Sequence, residues 1–550
     1  MIFSEEEKKL LDSYVTSTDA NVFAVRGMQG MVGAAYARYS RAQGGFREIL
    51  LKEFIKEGNI DPKHADQLIE RILIAYGDDS VGELEGAHVS FEQISMLATK
   101  EIEDRRIGGS PIEQSTRYVF YDQKDNGHWR FLHHPSLMEA PFGKQYHDTM
   151  EHIFKTYASL VEPMKEYFGN LKSLGDAEYD INGDGAKERY RDLSDEKQQK
   201  AFKLTYNIDL RTKACDTLRA LLPLATLTNV GIFGNGRFYQ HVISHMLTSD
   251  IPEVSEIAQK TLAATTQVIP QYVRRAKRND YMKKIKREMF ALATEIFESS
   301  EPEGAKQMPE VKLLASMKNF DNQVIAAMIF PYTNVSLTTM RKKVATLPEA
   351  QKAEIFSKYI GDRKNRRDRP GRALEEGYPL TFELVTNWGV YKDLMRHRMN
   401  TQQRQLFTTK IGFQMPSELG QAGLAGRVSE CVERADKLFD AVENPELKQY
   451  AVLHGHYVRW SLGMNAREAM HLIELRSTPQ GHAQYRLLVQ KMHREIEKKY
   501  PKLASAMKFV DHAEYFWARG DSEARQRVKE EALEKTSSRI EHKANKTTAL

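Results

Sequence analysis

At 550 residues, with 41% hydrophobic and 28% charged side chains, the chain can bury large cores and is too apolar for global disorder. Its 80 basic residues against 75 acidic ones leave a formal net charge of +5, which does not call for nucleic acid and does not repel small phosphate-bearing ligands. Two cysteines, Cys215 and Cys431, exclude a disulfide framework or a four-thiolate zinc site and fit a reducing compartment.

From the start of the chain, the acidic, amphipathic MIFSEEEKKLLDSY lacks the basic-then-apolar order of a secretory segment, and no run of about 18 apolar residues follows, so the expectation is a cytoplasmic protein without a membrane span. Helical spacing predicts helices over 63–76, 147–168, 281–299, 428–443 and 483–498. Strands are predicted over Tyr118–Tyr121 and Leu380–Val385. The polar, Gly/Asp-rich stretch 171–200 reads as a surface excursion inside an insertion at about 122–200. Within it, Asp180-Ile-Asn-Gly-Asp184-Gly185 opens like a calcium loop, but Arg191 stands where the closing glutamate belongs, so a plain loop is the reading. The basic runs Arg274–Arg278 and Lys364–Arg372 lack interleaved stacking aromatics; the first reads as a solvated face, and the second, just before a buried-looking strand, stays open. A polar break at Glu298–Gln307 divides the chain into nearly equal halves, 1–297 and 308–520, ahead of a charged helical tail at 521–550. His454, His456, His471 and His482 have no carboxylate or cysteine at a metal-binding spacing, so no metal is expected. No phosphate loop, dinucleotide glycine fingerprint or nucleophile elbow occurs.

The halves repeat. Phe91 and Arg105 answer Phe382 and Arg396 at an offset of 291, and Asn235, Arg237 and His241 answer Asn465, Arg467 and His471 at an offset of 230. Arginines lie beside hydroxyls and amides in three clusters. These are Arg105 with Glu113-Gln114-Ser115-Thr116-Arg117, Arg396-His397-Arg398, and Asn465-Ala-Arg467 followed by Arg476 and His482. Guanidinium forks bind phosphate bidentately and hydroxyls complete the cage, so the chemistry points to an anionic, planar ligand such as a nucleotide. Surface ion pairing is the ordinary alternative, but Arg398–Arg404 has no acid at helical i+3 or i+4 spacing.

These motifs resemble the signature of the flavin-dependent thymidylate synthase family, Arg-His-Arg-x-x-Ser-x-Asn-Glu-x-Ser-x-Arg-Tyr, present as two imperfect tandem copies. The first copy keeps Glu113, Ser115, Arg117 and Tyr118 but has Arg106-Ile107 in place of His-Arg and Ile112 in place of Asn. The second keeps Arg396, His397 and Arg398 but loses the Ser and the final Arg. Downstream, Arg219 matches a family arginine for which the second copy has Gln449, while Arg476 matches one for which the first copy has Met246. Register puts Ser80 and Gly371 where the family has an upstream histidine.

The resemblance implies an α+β fold, helix-rich overall, with two synthase-like units in tandem, each a twisted, mainly antiparallel sheet flanked by helices. It implies reductive methylation of dUMP, with 5,10-methylenetetrahydrofolate as carbon donor and FAD and NADPH as reductants. Because the losses complement one another, it also implies sites composed from both halves, in a homodimer that mimics the family's tetramer. Arg105, Glu113, Gln114, Ser115, Thr116, Arg117 and Arg219 would hold the nucleotide. Arg396 and Arg476 would face the pyrimidine as the catalytic pair, and His397, Arg398, Asn465, Arg467, His471 and His482 would cradle the flavin. Two further readings follow from the departures: one-carbon transfer to another pyrimidine nucleotide, or a non-catalytic nucleotide- or flavin-binding relative.

Overall fold

The computed structural model describes residues 3–19, 32, 35–36, 45–56, 59–60, 83–105, 107–296, 309–315, 319–333, 335–366, 368, 370–375, 380–515 and 524. The helix expected at 63–76, the break at 298–307, Ser80, Arg106 and all of the tail except Ala524 lie outside them.

The elements that position the site are, in chain order, strands β1 (Gly86–Ser95), β2 (Gly109–Glu113), β3 (Leu227–Asn235), β4 (Glu310–Ala315), β5 (Leu380–Asn387), β6 (Asn400–Arg404) and β7 (Tyr457–Met464). The helices are α1 (Met96–Glu103), α2 (Gly143–Leu171), α3 (Glu196–Leu218), α4 (Gly236–Thr248), α5 (Pro252–Thr266), α6 (Asp280–Ile296), α7 (Trp388–Leu394), α8 (Ala425–Ala441), α9 (Ala466–Arg476) and α10 (Ala483–Lys499). Both main sheets are antiparallel, in the orders β1-β3-β2 and β6-β7-β5-β4. The fold is α+β, as expected.

Four joints share one local design. In each, a strand runs directly into a helix through a Ser or Asn whose side-chain oxygen accepts the N–H three residues on: Ser95 from Ala98 (3.0 Å), Asn235 from Phe238 (2.8 Å), Asn387 from Val390 (2.9 Å) and Asn465 from Glu468 (2.9 Å). These residue types favour that position because they satisfy an amide the helix leaves unpaired. The repeat survives in register. Strand β2 maps onto β6 at the 291 offset, and β3 maps onto β7 at 230. The Phe91–Phe382 pairing does not survive. Phe91 sits opposite Val230, whose counterpart Trp460 faces Leu384, and a bulge in β1 between Phe91 and Ile94, with Gln93 at φ 54, accounts for one of the two residues of slip.

Two compact units form, and each draws on more than one segment. One comprises Met1–Gln114, Phe131–Ala140 and Ala225–Glu301; the other comprises Ser115–Arg130, Pro141–Leu224 and Pro302–Leu550. The second unit therefore takes the β4–β7 sheet from the C-terminal half and helices α2 and α3 from the N-terminal half. Helix α2 buries Tyr146, Met150, Phe154, Tyr157, Leu160 and Phe168, so much of the expected insertion is core. The stretch 171–200 is not a plain surface excursion either. Ala177, Tyr179, Ile181 and Leu193 pack with Phe202, Tyr206 and Ala524 around a short ribbon pairing Glu178–Tyr179 with Glu188–Arg189. Its Asp180 accepts the amides of Gly183 (2.7 Å) and Gly185 (3.2 Å), so its oxygens close the loop themselves. The expected strand Tyr118–Tyr121 is a turn, with the Tyr118 amide donating to Ser115 O. Its aromatics are used singly: Tyr121 is buried, and Arg211 lies over Phe120 at 5.0 Å.

Candidate active site

Within the second unit, residues from both sequence halves converge at the end of α3. The segment 220–224 exchanges backbone hydrogen bonds with 452–455: His454 N donates to Leu222 O (2.9 Å), Gly455 N to Ala220 O (2.9 Å) and Leu224 N to Val452 O (2.8 Å). This anchors Asp216 and Arg219 beside the N-termini of α7 and α10. Gly389, in the first turn of α7, permits the approach, since a Cβ there would stand 3.2 Å from the Arg219 guanidinium.

The centre is a cluster of four arginines and two aspartates. Arg117 forks onto Asp216 with two bonds of 2.7 Å. Both terminal nitrogens of Arg219 reach Asp393 Oδ2 at 3.3 Å, and Arg396 stands 3.8 Å from Asp393 Oδ1. Burial alone would raise both carboxyl pKa values. The guanidiniums outweigh it, Arg117 first at Asp216 and Arg219 first at Asp393, and hold each below the usual carboxylate range. Six charged groups thus carry a surplus of two positive charges.

Arg476 is held differently. Its Nε donates to His397 Nε2 at 3.0 Å, and its guanidinium lies 5.6 Å from the Tyr485 ring. An arginine can only donate, so His397 Nε2 is an acceptor and Nδ1 carries the proton, which it donates to Glu468 Oε1 at 3.0 Å. Burial lowers the His397 pKa; the Glu468 bond opposes this, while Arg476 and Arg396 add to it, and the ring stays neutral. Burial likewise pushes His482 down to about 3, helped by Arg219. His482 caps α10, accepting the Gln484 amide at 3.2 Å, and its Nε2 lies 3.4 Å from Asp216 O. Asp216, Arg219, Asn387, Gln414, His482 and Gln484 line a cavity of about 80 Å³. The arginines of the cluster are already engaged by its aspartates, so a phosphate would have to compete with those carboxylates.

Of the expected site residues, all but Arg105, Glu113 and Gln114 fall in this unit, and Ser115, Thr116, Arg117, Arg219, Arg396, His397, Arg476 and His482 lie in or beside the cluster. Ser115 Oγ accepts the Arg117 amide at 3.3 Å, and Thr116 is buried. Asn465 spends its oxygen capping α9, Arg467 pairs with Glu375, Arg398 is exposed, and the His471 ring lies 5.8 Å from that of His397. Arg105, Glu113 and Gln114 belong to the other unit. There Arg105 meets His245 Nδ1 at 2.9 Å, Glu113 is buried 3.1 Å from Lys100, and the Gln114 amide donates to Asn229 O at 2.9 Å. A side chain at Gly371, where register puts the family's histidine, would have to displace the Tyr359 hydroxyl, which accepts the Ala373 amide.

Asp216, Glu468 and Tyr485 belong to none of the motifs that the sequence offers. A signal existed: Asp216 precedes Arg219 by three residues, and Asp393 precedes Arg396 by three. A buried, bidentate Arg363–Glu474 pair, at 2.7 and 2.5 Å, also pins α9 and was not foreseen.

A family profile described as thymidylate synthase complementing protein matches residues 27–271 and again 312–502. A UPF0159 protein of Chlamydia muridarum (strain MoPn / Nigg) is 35% identical over 549 residues, covering 96% of this chain and 99% of its own length. A UPF0159 protein of Chlamydia pneumoniae is 34% identical, covering 95% and 98%. UPF0159 protein Ta1429 of Thermoplasma acidophilum is 30% identical, covering 90% and 98%. Among solved structures, thymidylate synthase X from Helicobacter pylori with FAD and dUMP aligns with 36% of this chain and 100% of its own, at 15% identity. The TM-score of that alignment is 0.28.

Proposed function

The chain belongs to the thymidylate synthase complementing protein family, in a duplicated arrangement, and on that premise we propose that it is a flavin-dependent thymidylate synthase whose active site is composed from both halves. The observation that carries this reading is the convergence of Arg117 and Arg219 from the N-terminal half with Arg396 and Arg476 from the C-terminal half around two aspartates. Net positive charge held in a water-poor site suits a nucleotide monophosphate, and guanidinium forks match its oxygens.

In this reading Arg117 and Arg219 exchange part of their aspartate contacts for the 5′-phosphate of dUMP, aided by the Ser115 hydroxyl. Arg396 and Arg476 face the pyrimidine and stabilise negative charge as its ring carbon turns nucleophilic. His397 acts as a positioning residue: both its nitrogens are engaged, so it fixes the Arg476 fork and does not itself hold a flavin. The flavin test therefore rests on other groups. Arg398 is exposed, and Arg467 is a third exposed and paired with Glu375, so a pyrophosphate reaching Arg467 would have to compete with that carboxylate. When bound, reduced FAD supplies the hydride, NADPH restores it, and 5,10-methylenetetrahydrofolate supplies the carbon. Cys215 and Cys431 are buried, and burial raises both thiols, Cys431 to about 11, so neither is poised as a nucleophile.

The test is spectral and then chemical. Purified protein is expected to show an oxidised-flavin absorbance band that dUMP perturbs, and to form dTMP when given dUMP, methylenetetrahydrofolate and NADPH. A colourless protein that cannot take up added FAD would refute the enzymatic reading. A methylated product from a different pyrimidine nucleotide, with none from dUMP, would move the substrate assignment.

A further inference from the structure

Helix α6 (Asp280–Ile296) lies between the two family-matching segments, which end at 271 and resume at 312. Its start is firmly set. Asn279 Oδ1 accepts the Met282 amide at 3.1 Å, the Asn279 amide donates to Thr248 Oγ1 at 2.9 Å, and Lys283 meets Asp250 at 2.7 Å. Beyond that anchor none of its residues is buried. Yet its apolar residues are not scattered: Met282, Ile285, Met289, Leu292 and Ile296 recur at alternating spacings of three and four, the pattern of a seam that packs against another helix. Tyr281 is 70% exposed, Met289 57% and Ile296 63%. A lone helix of this length is marginal in water, and its stability comes from covering such a face.

We propose that α6 pairs antiparallel with α6 of a second copy of this chain, about a two-fold axis at Met289. Charge selects this occupant and this direction. The first half, Asp280–Arg287, holds four basic residues against Asp280 and the neighbouring Asp250, a surplus of two positive charges; the second half, Glu288–Ile296, holds Glu288 and Glu295 and no base. An antiparallel pair lays the basic half of each helix along the acidic half of the other, whereas a parallel pair would oppose like with like. With Met289 on the axis, Met282 meets Ile296. A two-fold interface of this kind needs only one self-complementary surface. The inference is independent of the nucleotide chemistry.

Sedimentation equilibrium of the full chain tests it. The wild type is expected to form dimers that dissociate at micromolar concentrations, as befits a short interface. Met289→Glu, which sets two carboxylates on the axis, should weaken association at least tenfold without changing the circular dichroism spectrum. Oxidising a mixture of Met282→Cys and Ile296→Cys proteins should give disulfide-linked heterodimers in excess of either homodimer. A chain monomeric at about 100 μM, a dimer indifferent to Met289→Glu, or crosslinking dominated by homodimers would each overturn the proposal.

Discussion

At the scale of residues, the Glu468–His397–Arg476 relay makes a pH-sensitive arrangement. The buried His397 ring takes up a proton only below its ordinary value of 6.5, because burial and the neighbouring arginines hold its pKa down. Above that range Nε2 accepts from Arg476; below it, a protonated ring would present N–H to N–H. Nucleotide affinity is therefore expected to fall as pH drops beneath 6.5. His397→Ala should weaken binding about tenfold while flattening that acid limb, as calorimetric titration of dUMP between pH 5 and 8 would read. Asp393 gives a second expectation. It occupies Arg219 and Arg396, so an incoming phosphate competes with it. Asp393→Asn should bind inorganic phosphate about tenfold more tightly, in line with about 1.5–3 kcal/mol for one charge-assisted bond. It should also unfold at lower temperature without phosphate and regain much of the loss with it. A variant with unchanged phosphate affinity would contradict the competition. These acids were legible only as spacing, since nothing in a linear sequence says that Asp393 will turn to Arg219 174 residues away.

At the scale of elements, the amphipathic helices and the apolar strand β5, expected over Leu380–Val385, were legible, and the other strands were not. Helices α2, α8 and α10 follow amphipathic stripes that a short window captures, with ends within a few residues of expectation. Strand β7 alternates buried and half-buried positions along its length, but its run Tyr457–Met464 mixes Arg459, Ser461 and Gly463 among the apolar residues. Only its partners β5 and β6 make it a strand. Tyr118–Tyr121 failed in the opposite direction, because aromatic richness mimics a strand although only Tyr121 is buried and Tyr118 is exposed. Each unit also pairs an arginine with a histidine between the signature register and the following helix, at positions that the repeat does not equate. In one, the signature register supplies Arg105 and the following helix supplies His245; in the other, the signature supplies His397 and the helix supplies Arg476. Elsewhere in the first unit, Lys100 lies buried between Glu103 at 2.5 Å and Glu113 at 3.1 Å. Lys100→Met should destabilise the fold by about 3–5 kcal/mol, because it strands two carboxylates in the interior. A denaturation midpoint unchanged from wild type would refute that role for Glu113.

At the scale of the whole molecule, duplication was legible because polar residues repeat with the apolar ones. The recruitment of α2 and α3 into the C-terminal unit was not, because long-range packing leaves no mark on spacing. The charged cluster ties this arrangement to acid stability. His482 is held down to about 3 in the folded chain against 6.5 when unfolded, so between those values the unfolded state binds the extra proton. Stability should fall as pH drops from 6.5 toward 3. The lowered Asp216 and Asp393 act with the same sign below their unfolded value of 3.8. His482→Asn, which keeps a capping oxygen, should remove up to about 1.4 kcal/mol per pH unit of that slope.

The central claim is that one nucleotide site is assembled from both halves of the chain, and equilibrium binding of dUMP to two variants tests it most directly. Arg476→Ala removes a guanidinium held by a neutral histidine. The paired change Arg117→Gln with Asp216→Asn removes an arginine from the other half without stranding its acid. Each is expected to lose at least tenfold in dUMP affinity while remaining folded. Wild-type affinity in either one would contradict the composite site.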